Sequence, residues 1–107
     1  MVVLEALALG TPVIAADAPP GGVGEALGRQ TKHDPQRTTP EETEAGILLP
    51  VPDTAEQIEL WGTTLADLLA VPERLTALSA GARRRAARYA PDAVAGRWEE
   101  LLAGLAA

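Results

Sequence analysis

Glu5 is a lone acid inside the apolar run Val2-Val3-Leu4-Glu5-Ala6-Leu7-Ala8, where an ionised carboxylate needs water or a partner. If its helix leads into a parallel strand, Glu5 lies near the crevice where α/β folds bind ligands. The plainer reading puts it on the wet side of an amphipathic helix, the usual place for a glutamate. A second candidate is Pro19-Pro20-Gly21-Gly22-Val23-Gly24, because glycine amides can cradle a phosphate or carboxylate. That segment fits neither the dinucleotide fingerprint nor the P-loop, and a tight turn explains it more simply. His33 is the only histidine and cysteine is absent, so neither a metal site nor a catalytic dyad is expected. His33 reads as a solvated loop residue. Arg83, Arg84, Arg85 and Arg88 can meet an anionic partner, but such runs usually form a solvated helix face. Trp61 and Trp98 fall on apolar helical stripes and read as core anchors.

The elements that must position these residues follow from pattern. Gly10 stops a first helix, Pro12 blocks its continuation, and Val13-Ile14-Ala15-Ala16 is a short buried strand ending at Asp17. Val23 to Leu27 forms a helical turn. Residues 28–45 carry no apolar period and read as a polar, mobile surface loop. Ile47-Leu48-Leu49 is a second strand, ended by Pro50 and Pro52. Asp53 or Thr54 caps the next helix, with Glu56 three residues after Asp53 as in a capping box. Its apolar face is Ile58, Trp61, Leu65, Leu68 and Leu69. Pro72 opens a following helix with Leu75, Leu78, Ala82, Ala86 and Tyr89 inward. After Pro91 a last helix carries Val94, Trp98, Leu101, Leu102 and Leu105 on one face.

Composition narrows the classes. Aromatics make up only 3% of the 107 residues and Phe is absent, so the core is built from Leu, Val, Ile and Ala, as in helices packed on a sheet. A net charge of −6 argues against nucleic acid as a partner. The opening apolar stretch is too short to span a bilayer, and a cytoplasmic location is the default. Two short strands cannot cover so many apolar helix faces, which implies that part of the sheet is missing.

Taken together, Leu4-Glu5-Ala6-Leu7-Ala8-Leu9-Gly10-Thr11-Pro12-Val13-Ile14-Ala15-Ala16-Asp17 resembles the hallmark segment of the group 1 (family four) retaining glycosyltransferases of GT-B fold. Gly21-Gly22 and Glu25 match the glycine pair and glutamate that come after it in the family, and Gly46-Ile47-Leu48-Leu49-Pro50-Val51-Pro52-Asp53 matches the next strand. Leu68-Leu69-Ala70-Val71-Pro72-Glu73-Arg74-Leu75 and the last helices match more loosely. Position 24 is Gly where a subgroup of the family has Arg.

The resemblance implies an α/β fold: a partial Rossmann-like C-terminal half-domain of GT-B type, with two short parallel strands plus C-terminal helices. Residues 1–107 would form an incomplete nucleotide-sugar-binding domain with a polar insert at 28–45 and without the N-terminal acceptor domain. Glu5 corresponds to the second glutamate of the family's Glu-x7-Glu motif and would hold the ribose hydroxyls of the donor. Main-chain amides of Met1 and Val2 would be what remains of the diphosphate site. The intact enzyme would be of hexosyltransferase type, moving a sugar from a UDP-, GDP- or ADP-sugar with retention and without cofactor or metal. Peripheral membrane association would be open to it. The chain alone is expected to be inactive. The other reading is a non-catalytic α/β scaffold or interaction module.

Overall fold

The structure, a computed structural model, describes residues 2–18, 22–29 and 36–106. The elements run α1 (Val2–Ala8), β1 (Val13–Ala16), α2 (Gly22–Leu27), β2 (Glu41–Glu42), β3 (Gly46–Leu49), α3 (Ala55–Ala70), α4 (Pro72–Ala87) and α5 (Pro91–Ala106).

Both short helices end in the same way. At α1, Gly10 has φ +74°, its N–H donates to the Leu7 carbonyl at 2.9 Å, and the Thr11 N–H donates to Ala6 at 2.9 Å. At α2, Gly28 has φ +89°, with Gly28 N–H to Glu25 at 3.1 Å and Arg29 N–H to Gly24 at 3.0 Å. These are Schellman closures, which satisfy the last carbonyls and turn the chain sharply. The first delivers Pro12 to the start of β1. The second aims Arg29 back along α2.

Three strands form one mixed sheet in the order β1-β3-β2. β1 and β3 are parallel, with Val13 opposite Gly46 and Ala16 opposite Leu49. β2 is antiparallel to β3, with Glu41 opposite Leu48 and Glu42 opposite Ile47. The two expected strands are parallel to each other, but the sheet has a third, antiparallel strand, so the expected loop is corrected over residues 41–45, while its residues 30–35 lie outside the described residues. The polar insert contributes a short edge strand of its own. Thr43 closes that hairpin: its Oγ donates to the Gly46 carbonyl at 2.8 Å and accepts from the Gly46 N–H at 3.1 Å. Two glutamates carry no apolar alternation, so pattern could not reveal a strand there.

β3 is buried along its whole length, whereas every residue of β1, expected to be buried, is only half-buried at the sheet edge. Leu48 joins Leu7, Leu27, Ala45 and Ala82 in one core, against α1, α2 and α4. Ile47 and Leu49 join Leu68 and Leu78 in a second, against α3 and α4. Alternate side chains of one strand thus serve both faces of the sheet. α4 contributes to both cores and presents Leu75, Leu78, Ala82 and Ala86 inward, as expected.

α3 differs in its rotation and its cap. Thr54 is the N-cap, and Gln57 rather than Glu56 completes the capping box. The Trp61 indole N–H donates to the Pro50 carbonyl at 2.7 Å, which sets the helix so that Leu60, Trp61, Thr64 and Leu68 face the sheet. Ile58, Leu65 and Leu69, expected inside, are exposed. In α5 no described side chain is buried, and Trp98 is 59% exposed. Trp98 is therefore not a core anchor. The apolar stripe of α5 exists, but nothing among the described residues covers it.

A Cβ on Gly46 would lie 1.8 Å from the Val13 carbonyl oxygen, so β1 and β3 can pair this closely only with glycine there. Gly46→Ala is expected to destabilise the fold by about 1–3 kcal/mol through overpacking against backbone. Gly62 has open space around it within α3, and Gly62→Ala is expected to stabilise by about 0.5–1 kcal/mol. Urea unfolding of both variants checks the opposite signs.

Candidate functional site

In a parallel sheet, ligand-binding loops collect beyond the C-terminal ends of the strands. Here that edge is marked by Asp17, directly after β1, and by Pro50, directly after β3. The Asp17 N–H donates to the Leu49 carbonyl at 2.7 Å and draws the two strand ends together.

The Asp17 carboxylate is almost fully buried and is held by a bidentate fork from Arg29, with Nη1 to Oδ1 at 2.8 Å and Nη2 to Oδ2 at 2.9 Å. Arg37 Nε lies 3.6 Å from Asp17 Oδ2, and its Nη2 bonds Glu41 Oε1 at 3.0 Å. Arg29 Nη2 is 3.9 Å from the same Glu41 oxygen. Two guanidiniums and two carboxylates therefore close on one another with little exposure to water. Paired fork geometry is what makes burial of such charges tolerable. The hydrogen bond to Asp17 is the largest effect raising the Arg29 pKa above its ordinary value. Burial opposes it, and the charges of Asp17 and Glu41 add to it. A raised cation pKa means that this contribution to stability is present at every pH below the ordinary arginine value. On the arginine side it is lost as pH rises through the raised value, and it requires the Asp17 carboxylate to stay ionised.

This network ties both ends of segment 29–37 to the sheet. In the sequence Asp17 is visible as the acid at a strand end, but without a partner. A buried acid demands a counter-charge, yet nothing local says which of nine Lys and Arg residues supplies it. Gly24 lies under the Arg29 side chain. A Cβ there would meet Arg29 Cδ and Nη1, each at 2.8 Å.

Glu5 lies on the exposed face of α1, and Val2, three residues earlier on that face, is 80% exposed. Among the described residues the Glu5 side chain makes no hydrogen bond or ion pair. The structure places Val2 and Glu5 on one exposed helix face. Met1, Pro19, Pro20, Gly21 and His33 lie outside the described residues. Gly22 and Gly24 belong to α2 rather than to an open loop.

In the arginine cluster Arg83, Arg84 and Arg88 are exposed, as on a solvated helix face, and Arg85 is half-buried. Arg85 Nε and Nη2 donate to the Ala26 and Glu25 carbonyls at 3.1 and 2.8 Å, capping the negative end of α2. Arg84 pairs with Glu44 at 2.8 Å, and the Arg83 guanidinium covers Gly10. Among the described residues no group of three or more His, Asp or Glu is placed to hold a metal ion, and no helix is long and apolar enough to cross a membrane.

Comparison with known proteins points to one class, the glycosyltransferases. The chain is 39% identical over 101 residues to the D-inositol 3-phosphate glycosyltransferase of Thermobispora bispora, covering 94% of the chain and 19% of that protein. It is 34% identical over 105 residues to the protein of the same name from Rhodococcus opacus, covering 98% of the chain and 18% of that protein. The chain thus spans about a fifth of the length of the curated relatives it matches. No protein-family model matches it, and no solved structure does so significantly. The similarity supports a glycosyltransferase segment, and the α/β architecture is compatible with one.

Asp17→Ala is expected to cost about 3–5 kcal/mol, because it strands a buried guanidinium. A double-mutant cycle of Asp17→Ala with Arg29→Ala, read by thermal or urea unfolding, should give a coupling energy of about 1–3 kcal/mol.

Proposed function

We propose that this chain forms part of the donor site of a nucleotide-sugar-dependent glycosyltransferase of GT-B type, with Glu5 as the ribose ligand. The observation that carries the reading is similarity over nearly the whole chain to proteins named as glycosyltransferases. The exposed, unpartnered Glu5 carboxylate supplies the chemistry. A carboxylate accepts from both hydroxyls of a vicinal diol and discriminates against donors that lack them. Val2, beside it at the first turn of α1, contributes its main-chain N–H toward the diphosphate.

The whole enzyme would transfer its sugar with retention of configuration. Helix dipoles and basic side chains, rather than a divalent ion, would stabilise the departing diphosphate. The acceptor site and the rest of the donor site would lie on other parts of the enzyme. The names of the two relatives make a phosphorylated inositol the first acceptor to try.

The test is nucleotide binding by the chain and by a longer polypeptide that contains it, with UDP, GDP and ADP compared with their 2′,3′-dideoxy forms. Glu5→Ala should weaken the preferred nucleotide by about tenfold or more, the worth of a charge-assisted hydrogen bond. The dideoxy analogue should bind wild type and variant alike. Equal binding of the ribonucleotide by wild type and variant would overturn the ribose assignment and favour a non-catalytic scaffold. Sugar transfer should be undetectable with the chain alone and unaffected by EDTA in the longer polypeptide.

A further inference from the structure

A cleft of about 500 Å³ opens between the insert and the start of α3, lined by Arg37, Thr38, Thr54, Gln57, Glu59 and Thr63, with Glu56 and Leu60 beside them. Its volume falls in the range of small-molecule sites, roughly 300–1,000 Å³. Neither Glu5 nor Val2 lines it, so the cleft is independent of the donor assignment.

The capping box settles which polar atoms of the cleft are engaged. Gln57 Oε1 accepts from the Asp53 and Thr54 N–H groups, both at 2.9 Å, and Thr54 Oγ accepts from the Gln57 N–H at 3.2 Å. That leaves the Gln57 amide NH2 and the Thr54 hydroxyl proton as donors. Their positions are fixed by the backbone itself rather than by a flexible surface rotamer. Glu56 and Glu59 make no ion pair among the described residues, and the hydroxyls of Thr38 and Thr63 add groups that both donate and accept. Leu60 supplies an apolar patch among them.

Charge selects the ligand. Among the described lining residues Arg37 is the only cation, and it is already engaged by Asp17 and Glu41, whereas the Glu56 and Glu59 carboxylates make no ion pair. Phosphates and other anions are therefore disfavoured. A neutral molecule rich in hydroxyls suits the site: its diols donate in pairs to the carboxylates, its oxygens accept from Gln57, Thr54 and Thr63, and its C–H faces lie on Leu60. We propose that the cleft between the insert and α3 is a saccharide-binding site. The insert builds one wall of it, through Arg37 and Thr38, so the ion network on Asp17 is what holds that wall in place.

The experiment is a ¹H–¹⁵N NMR titration of the full chain with maltotriose as the probe, with inorganic phosphate and spermidine as controls. Maltotriose should shift residues 37–38 and 54–63 with a Kd on the order of 1 mM, and the two controls should not. Glu59→Gln combined with Thr63→Val should weaken binding at least about fivefold with unchanged helix content, since both side chains lie outside the core. Glu56→Gln, which alters neither cap nor core, is the second variant and should weaken binding in the same direction. No saccharide response at these residues would overturn the proposal. So would a stronger response to spermidine or phosphate, or binding that both variants leave intact. Nucleotide binding by Glu5→Ala reads out separately, so failure here leaves the donor reading standing.

Discussion

The fold is arranged around the close parallel pairing of β1 with β3. Each strand has only four residues, so the pairing is held by few hydrogen bonds and by apolar cover on both faces. β3 must pass within van der Waals contact of the Val13 carbonyl, which is why position 46 carries no side chain. Leu48 on one face and Ile47 and Leu49 on the other then define where α1, α2, α3 and α4 can lie. A similar restriction acts at α4, where Gly81 rests on the Glu44 backbone and lets the helix seal both cores. The two glycines are packing requirements at strand and helix positions where pattern would have accepted alanine.

Buried charge performs a second task at the C-terminal edge of the parallel strands. The Asp17 network holds the insert against the strand ends without adding net charge there. It joins the end of β1, the residue after the α2 closure and the edge strand β2 in one set of contacts. By contrast, the Glu5 carboxylate is unpartnered and exposed. One acid serves the architecture and the other is exposed to solvent. The chain thus carries one buried and one exposed carboxylate within its first seventeen residues.

Much of the fold was legible locally. The stop at Gly10, the strand at 13–16, the second strand at 47–49 and the three long helices follow from glycine and proline punctuation and apolar period. Of the candidate site, Glu5 was identified by its isolation among apolar neighbours and by resemblance. The Arg29 and Arg37 partners of Asp17 were not legible, because a polar segment looks the same whether it is solvated or folded over an acid. The rotation of α3 was missed because two overlapping apolar stripes run along it. The Trp61 hydrogen bond to Pro50, a non-local contact, chose between them.

The order and type of the main elements, and the apolar faces of α4 and α5, are written into the chain locally, since backbone preference and helical period act over a few residues. Three further features arise from contacts between distant segments: two glutamates in a polar insert become a strand, Asp17 meets Arg29, and the α5 stripe stays uncovered. Each depends on what lies opposite in space. Pairing, ion-pair choice and burial are properties of two surfaces, and the chain encodes only one of them at any given position.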